Sequence, residues 1–123
     1  MNLKNFFTPS AIAVVGASQN PKKVGRQVLD NIISSGYQGK IFPINLQEKT
    51  IASLPVFSDL EKLPIKDWSS LLVMIVIPAA FVLPEIEKCG RLGIKNIIII
   101  SAGFKESDAE GKKREAELKV LIN

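Results

Sequence analysis

The stretch that decides the fold lies near the start of the chain and reads Ala11-Ile12-Ala13-Val14-Val15-Gly16-Ala17-Ser18. Its first five residues are all apolar and end at a glycine, which is typical of a strand buried on both faces of a sheet. After a polar loop, apolar residues from Val24 to Ile33 recur at helical spacing up to Gly36. A second apolar strand, Lys40 to Asn45, follows. This order predicts a right-handed strand–helix–strand unit with parallel strands.

The remaining sequence continues the alternation of strands and helices. We predict an edge strand at Val56-Phe57 and a helical turn from Ser58 to Leu63 capped by Ser58. A strand from Leu71 to Ile77 and a helix from Phe81 to Leu92, ended by Gly93, come next. The last predicted elements are a strand from Ile94 to Ile100, a loop from Ser101 to Phe104 and a charged helix from Glu106 to Ile122. Together these elements predict an open, doubly wound, mostly parallel α/β sheet in three layers, with strand order 3-2-1-4-5.

The length and composition indicate one packed domain. The chain has 123 residues, 46% of them hydrophobic and 23% charged, which suits a single core. A doubly wound domain normally has another strand after its last helix. We therefore expect residues 1–123 to be one domain cut from a longer, multidomain protein.

Several function classes are disfavoured by the composition. The sequence has no histidine, so histidine-based catalysis and histidine metal sites are excluded for this chain on its own, and we expect no catalytic or metal-binding residues in it. The single cysteine, Cys89, cannot form an internal disulfide and is interpreted as a small buried side chain in a cytoplasmic protein. The longest apolar run, Leu71 to Leu83, is broken by Pro78 and is too short to span a membrane. The net charge of +4 comes without interleaved aromatic residues, so nucleic acid is not the expected partner.

The loop after the first strand is the candidate ligand site. In such sheets, ligands bind outside the carboxyl ends of the strands. Gly16, Ala17 and Ser18 lead into a helix whose N-terminal amides suit a phosphate group. Positive charges lie next to this helix start, at Lys22, Lys23 and Arg26. The alternative is that Gly16 only ends a strand and the basic side chains face solvent.

The residues disfavour two common nucleotide ligands. The nicotinamide dinucleotide fingerprint needs Gly-x-Gly-x-x-Gly and an acidic residue at the end of the second strand. Here Gly25 does not have that spacing from Gly16, and the second strand ends at Asn45. The Gly-x-x-x-x-Gly-Lys-Ser/Thr phosphate loop of ATPases is also absent. A ligand with several phosphates fits the charges better.

These residues resemble a known family. The matching segments are Phe7 to Ser18, Pro21 to Gly25, Asn31 to Ile33, Gly36 to Asn45, Ile77 to Ala79, Glu87 to Gly90 and Ile99 to Glu106. In order and spacing they resemble the CoA-binding domain of ADP-forming acyl-CoA synthetases, the acetate–CoA ligases related to the succinyl-CoA synthetase α subunit. The resemblance covers nearly the whole chain.

The resemblance implies a Rossmann-like domain that binds coenzyme A or acetyl-CoA. It places Gly16, Ala17 and Ser18 against the phosphates, with the region of Lys22, Lys23, Gly25 and Arg26 nearby. It places Asn45 at the nucleotide end, Ile77, Pro78 and Ala79 along the adenine or pantetheine wall, and Ser101, Ala102 and Gly103 towards the reactive end. Leu46 departs from the family, which usually has proline there.

The family reaction converts acyl-CoA, ADP and phosphate into acid, CoA and ATP. It runs through a phosphorylated histidine on a following domain and an ATP-grasp domain, so ADP, ATP and Mg²⁺ would bind only to those partner domains. This chain alone is therefore expected to bind and not to catalyse. Two alternatives stay open at this point. One is the CoA-binding module of a protein lysine acetyltransferase or a free-standing CoA binder, and the other is an NAD(P)- or flavin-binding Rossmann domain.

Overall fold

The computed structural model of the protein describes residues 9–104 and 114–122, with side chains described up to residue 100. Its elements in chain order are β1 (Ala11–Val15), α1 (Val24–Ser34), β2 (Lys40–Ile44), β3 (Thr50–Ile51), β4 (Leu54–Pro55), β5 (Leu71–Ile75), α2 (Val82–Leu92), β6 (Asn96–Phe104) and β7 (Arg114–Ile122). Short 3-10 turns lie at Leu60–Lys62, Trp68–Ser70 and Ala79–Phe81.

The main sheet has five strands in the order β2-β1-β5-β6-β7. β1 pairs in parallel with β2 on one side and with β5 on the other, with Val15 opposite both Ile44 and Ile75. β5 pairs in parallel with β6. From β1 the chain passes through α1 to β2 on one side of β1, and later it crosses to β5 on the other side of β1. The strand order therefore reverses at β1. This arrangement confirms the predicted doubly wound, mostly parallel sheet.

The sheet is covered on both faces, as a continuously apolar β1 requires. On one face, Ile12 and Val14 pack with Leu29 of α1. On the other face, Ala13 and Val15 pack with Cys89 of α2. Each helix also contributes partly buried side chains, Val24, Val28 and Ile32 from α1 and Val82, Ile86 and Leu92 from α2. The result is the predicted three-layer α/β/α domain.

The segment between β2 and β5 contains two departures from the sequence prediction. The predicted edge strand is reduced to a single parallel bridge, in which Phe57 pairs with Ile44. The following helical turn is capped by Asp59 and not by Ser58, because the Asp59 carboxylate accepts a hydrogen bond from the amide of Glu61. Asp59 also pairs with Lys88 of α2, whose Nζ lies 2.8 Å from Oδ2. Burial raises the pKa of Asp59, but the hydrogen bond and positive charge of Lys88 together with the hydrogen bonds from the Glu61 and Leu60 amides outweigh burial, so the pKa is lowered.

The end of the chain differs from the prediction. β6 extends through the predicted loop Ser101–Phe104, and Arg114–Ile122 forms the antiparallel strand β7 where a helix was predicted. The helical prediction rested on opposite charges three or four residues apart and on an apolar side formed by Ala109, Leu118, Leu121 and Ile122. The same residues also alternate, with apolar Ala116, Leu118, Val120 and Ile122 at every second position, and this period suits a strand. The remainder of the predicted helix lies outside the described residues.

The first turn of α1 lies directly against the backbone that follows β1. A Cβ atom built on Gly25 would come 1.9 Å from the carbonyl oxygen of Gly16 and 3.3 Å from the Cα of Ala17. Gly25 is buried, and it lies in the second position of the helix. Glycine at this position therefore permits α1 to begin close to the end of the sheet.

This packing yields a stability prediction for two helical glycines. Gly25→Ala should lower the free energy of unfolding by about 1–3 kcal/mol, because the new methyl group meets a backbone oxygen that cannot move freely. Gly90→Ala in α2 is the matched control, since a Cβ there meets nothing within 4 Å. It should stabilise the protein by up to about 1 kcal/mol through helix propensity. Urea unfolding followed by circular dichroism measures both. Equal effects of the two substitutions would contradict the packing described here.

Candidate functional site

The loop from Gly16 to Lys23 joins the carboxyl end of β1 to the start of α1 and lies where the strand order reverses. Two hydrogen bonds anchor its base, from the amide of Gly16 to the carbonyl of Ile44 and from the amide of Val76 to the carbonyl of Val15. Ala17 is 1% exposed and packs in the core. From Ser18 onward the loop emerges to the surface at the predicted ligand edge.

Three carbonyl groups of this loop accept hydrogen bonds from donors that hold the loop from within the protein. The Asn45 side chain donates to Ala17, Arg26 donates to Gln19, and the amide of Lys23 donates to Asn20. Two further amides are taken up by side chains, since Asn20 donates to the Ser18 hydroxyl and Lys22 donates to the Asn20 side chain. These hydrogen bonds hold the loop in its observed conformation.

Several amides at the same place remain available. Within the described part of the chain, the amides of Ala17, Ser18 and Gln19, and of Val24 and Gly25 at the start of α1, form no hydrogen bond to a protein acceptor. Ala17 and Gly25 are buried, so the solvent-accessible members of this group are Ser18, Gln19 and Val24. The residue before the helix, Lys23, provides no side-chain cap. Free backbone amides next to the positive end of a helix form an anion-binding concavity. This geometry is the strongest feature of the candidate site.

Asn45 connects the β1 loop to the loop after β2. Its Nδ2 donates to the Ala17 carbonyl at 2.9 Å, and its Oδ1 accepts from the amides of Gln47 and Glu48 at 2.7 and 2.9 Å. Its own amide donates to Phe57. The sequence predicted Asn45 at this edge, and the structure places it there, half-buried and engaged within the protein.

The three predicted basic residues differ in their surroundings. Arg26 is bound internally, with Nε 2.9 Å from Asp30 and a second nitrogen 2.8 Å from the Gln19 carbonyl. Lys22 and Lys23 are exposed, and within the described residues no carboxylate lies within salt-bridge distance of either. Arg26 therefore shapes the loop, whereas the two lysines supply charge that a ligand could use.

The fold requires glycine at position 16 for a reason that could not be inferred from the sequence. Its φ is +99°, and a Cβ atom on it would lie 2.1 Å from the Val76 carbonyl oxygen and 2.9 Å from Ile77. The family resemblance placed this glycine against the phosphates of the ligand. The contact with residues 76 and 77 requires glycine whether or not a ligand binds.

The predicted wall at the end of β5 is open to solvent. Pro78 and Ala79 are exposed and Ile77 is half-buried, so these residues are available at the carboxyl edge. The structure adds two apolar side chains that the sequence did not single out, Phe81 at 61% and Leu83 at 63% exposure. Leu46, next to Asn45, is 86% exposed. The side chains of the remaining predicted residues, Ser101, Ala102 and Gly103, lie outside the described residues, and their backbone belongs to β6.

The opposite edge of the sheet has an open cavity of about 270 Å³ at the amino ends of the strands. Lys40, Lys66 and Asp67 are among the side chains that line it. The described residues contain no group of three or more cysteine, histidine or acidic side chains placed to hold a metal ion. None of the helices among them is long and apolar enough to cross a membrane.

Comparison with known families and proteins gives a consistent result. A family model described as "CoA binding domain" matches residues 10–123. The chain is 39% identical over 117 residues to the α subunit of ADP-forming acetate–CoA ligase II from Pyrococcus furiosus. It is also 39% identical over 112 residues to the ADP-forming 4-hydroxybutyrate–CoA ligase from Nitrosopumilus maritimus. These alignments cover 94% and 91% of this chain but only 24% and 16% of the relatives, so the chain spans a quarter or less of their length.

A solved structure shares both the fold and the sequence. It is the apo form of the dinucleotide-forming acetyl-coenzyme A synthetase 1 from Ca. Korarchaeum cryptofilum, which is 38% identical with a TM-score of 0.76. The superposition covers 89% of this chain and 24% of the synthetase.

Cys89 lies outside this site and is predicted to be unreactive. It is fully buried between α2 and the sheet, and this burial raises the pKa of its thiol to about 12. Because the thiolate is the reactive form, the native protein at neutral pH should react with a disulfide reagent at least about 100 times more slowly than the protein in urea. Absorbance of the released thiol measures both rates. Rapid reaction of the native protein would show that Cys89 is accessible.

Proposed function

The chain belongs to the CoA-binding domain family, and we propose that it binds coenzyme A or acetyl-CoA with the phosphates on the loop from Gly16 to Lys23. The observation that carries this proposal is the group of free amides at the solvent-accessible residues Ser18, Gln19 and Val24, next to the start of α1. A phosphate oxygen is the acceptor that such amides lack. Lys22 and Lys23 add charge of the sign that a polyphosphate ligand requires.

The rest of the ligand would extend along the carboxyl edge of the sheet. Ile77, Pro78 and Ala79 follow β5, with exposed Phe81 and Leu83 beyond them. These apolar side chains suit the adenine or pantetheine portion of CoA, since ligand sites combine an apolar lining with a few fixed polar groups. Asn45 follows β2 at the place where a dinucleotide site needs a carboxylate for the ribose hydroxyls, so CoA fits this edge better than NAD.

We further propose that the parent protein is an ADP-forming acid–thiol ligase of the acetate–CoA ligase type. The relatives named above carry that activity, and this chain corresponds to about a quarter of the Pyrococcus subunit. The chain has no histidine, so a phosphohistidine step has to occur on another domain. The same holds for ADP, ATP and Mg²⁺, which we assign to an ATP-grasp partner domain. The present residues supply the CoA site.

Ligand-dependent unfolding tests the proposed ligand. CoA at 100 times its dissociation constant should raise the free energy of unfolding by about 2.7 kcal/mol, which a thermal shift assay detects easily. NAD at the same concentration should give no shift. Phosphate-free pantetheine should stabilise the protein much less than CoA, because it offers no phosphate oxygen to the free amides. Stabilisation by NAD and not by CoA would refute the proposal.

The charge of the two exposed lysines can be tested separately. The double substitution Lys22→Glu and Lys23→Glu should weaken CoA binding by about tenfold or more at low salt, and less at high salt because of screening. The matched control is Lys40→Glu with Lys66→Glu, which changes the net charge equally but lies at the opposite edge of the sheet. Isothermal titration calorimetry measures the affinities. Equal losses in the two variants would show that only the overall charge matters.

A further inference from the structure

Asn45 has an unusual position among the residues of the candidate site, because its side chain joins two ligand-facing loops. Its Nδ2 donates to the carbonyl of Ala17, which follows β1, while its Oδ1 accepts from the amides of Gln47 and Glu48, which follow β2. Its backbone amide is bound to Phe57. Two of its side-chain hydrogen bonds shape its own loop, and the third reaches across to the loop with the free amides.

The hydrogen bond to Ala17 fixes the direction of a neighbouring amide. The carbonyl of Ala17 and the amide of Ser18 belong to one planar peptide unit, which is trans like every described peptide bond of the chain. In a trans peptide the C=O and N–H vectors point in opposite directions. Holding the Ala17 oxygen against Asn45 therefore turns the Ser18 N–H away from the β2 loop. That amide has no acceptor within the described protein.

The same contact also fixes the direction of a partial negative charge. An unpaired carbonyl oxygen at Ala17 would carry partial negative charge beside the place where an anion is expected. With its lone pair bound to Asn45, the oxygen is fixed away from that place. Arg26 does the same for the carbonyl of Gln19. Two carbonyl oxygens of the loop are thus held by protein donors close to the free amides.

We propose that Asn45 is a positioning residue, which aligns the Ser18 amide for a phosphate of CoA through the Ala17 carbonyl. This inference rests on the proposed CoA site. It changes the role of Asn45 from a side chain lining the nucleotide to one that holds the phosphate loop in its binding geometry.

The decisive variant is Asn45→Ser. A serine hydroxyl can still accept from the amide of Gln47, so the β2 loop keeps its turn, but it is too short to reach the Ala17 carbonyl. The variant is neutral, so it adds no repulsion toward an anion. CoA affinity should fall about tenfold or more. Asn31→Ser, on the exposed face of α1, is the matched control and should bind like the wild type.

A second pair of variants separates charge from alignment. Asn45→Asp keeps the acceptor for Gln47 and Glu48, loses the donor to Ala17 and adds one negative charge. Gln47→Glu adds the same charge in the same loop and leaves the donor in place. At high salt, where the added charges are screened, Asn45→Asp should still bind CoA about tenfold more weakly than Gln47→Glu. Equal affinities of these two variants would overturn the positioning role.

The amide of Ser18 provides a readout that general destabilisation does not reproduce. In wild-type protein, CoA should shift the Ser18 amide proton downfield in ¹H–¹⁵N spectra, and in folded Asn45→Ser this shift should be lost while signals near Phe81 still respond. An unchanged Ser18 shift in Asn45→Ser would refute the inference. If the wild type does not bind CoA, the proposed function fails, and a titration with inorganic pyrophosphate then tests whether Asn45 orients Ser18 for an anion. An absent Ser18 response to pyrophosphate in the wild type would overturn the positioning role as well.

Discussion

The close contact between the start of α1 and the end of β1 is the constraint on which the binding edge depends. Gly25 lies against the carbonyl of Gly16, and Gly16 in turn lies against the carbonyl of Val76 at the end of β5. Neither position has room for a Cβ atom. These two contacts bring three chain segments together at the point where the strand order reverses. The free amides of the β1 loop are therefore part of a tightly packed backbone arrangement.

The sequence predicted most of the central fold because burial leaves a clear pattern. β1 was predicted at its observed bounds, and α1 and α2 were predicted to within a few residues, since their apolar stripes end at glycines. The short elements were less predictable. The cap at Asp59 depends on a local hydrogen bond for which Ser58 was an equally good candidate, and Phe57 forms one bridge where a strand was expected. The alternating and helical patterns of residues 114–122 coincide, so the sequence could not distinguish β7 from a helix.

The candidate site was predictable in its location but not in its internal bonding. The expected positions of Gly16, Ser18 and Asn45 follow from the rule that ligands bind at the carboxyl ends of strands. Their hydrogen bonds could not be inferred, because they join residues distant in sequence, such as Asn45 and Ala17. The Asn20-Pro21 pair was a signal for a turn, and Asn20 does organise the loop through Lys22 and Lys23. No sequence pattern indicated that Phe81 and Leu83 would be exposed.

For the proposed CoA site, the distribution of donors accounts for the binding of a highly charged ligand by a domain with a modest net charge of +4. One of the three basic residues near the loop, Arg26, forms an ion pair with Asp30 and donates a hydrogen bond to the Gln19 carbonyl. What remains is two exposed lysines and a set of fixed amides. Amide dipoles held by the fold need no reorganisation when an anion arrives, whereas lysine side chains must lose rotamer freedom. If the loop binds CoA as proposed, specific recognition resides in the backbone of the loop, and the proposed role of Asn45 is to act on that backbone.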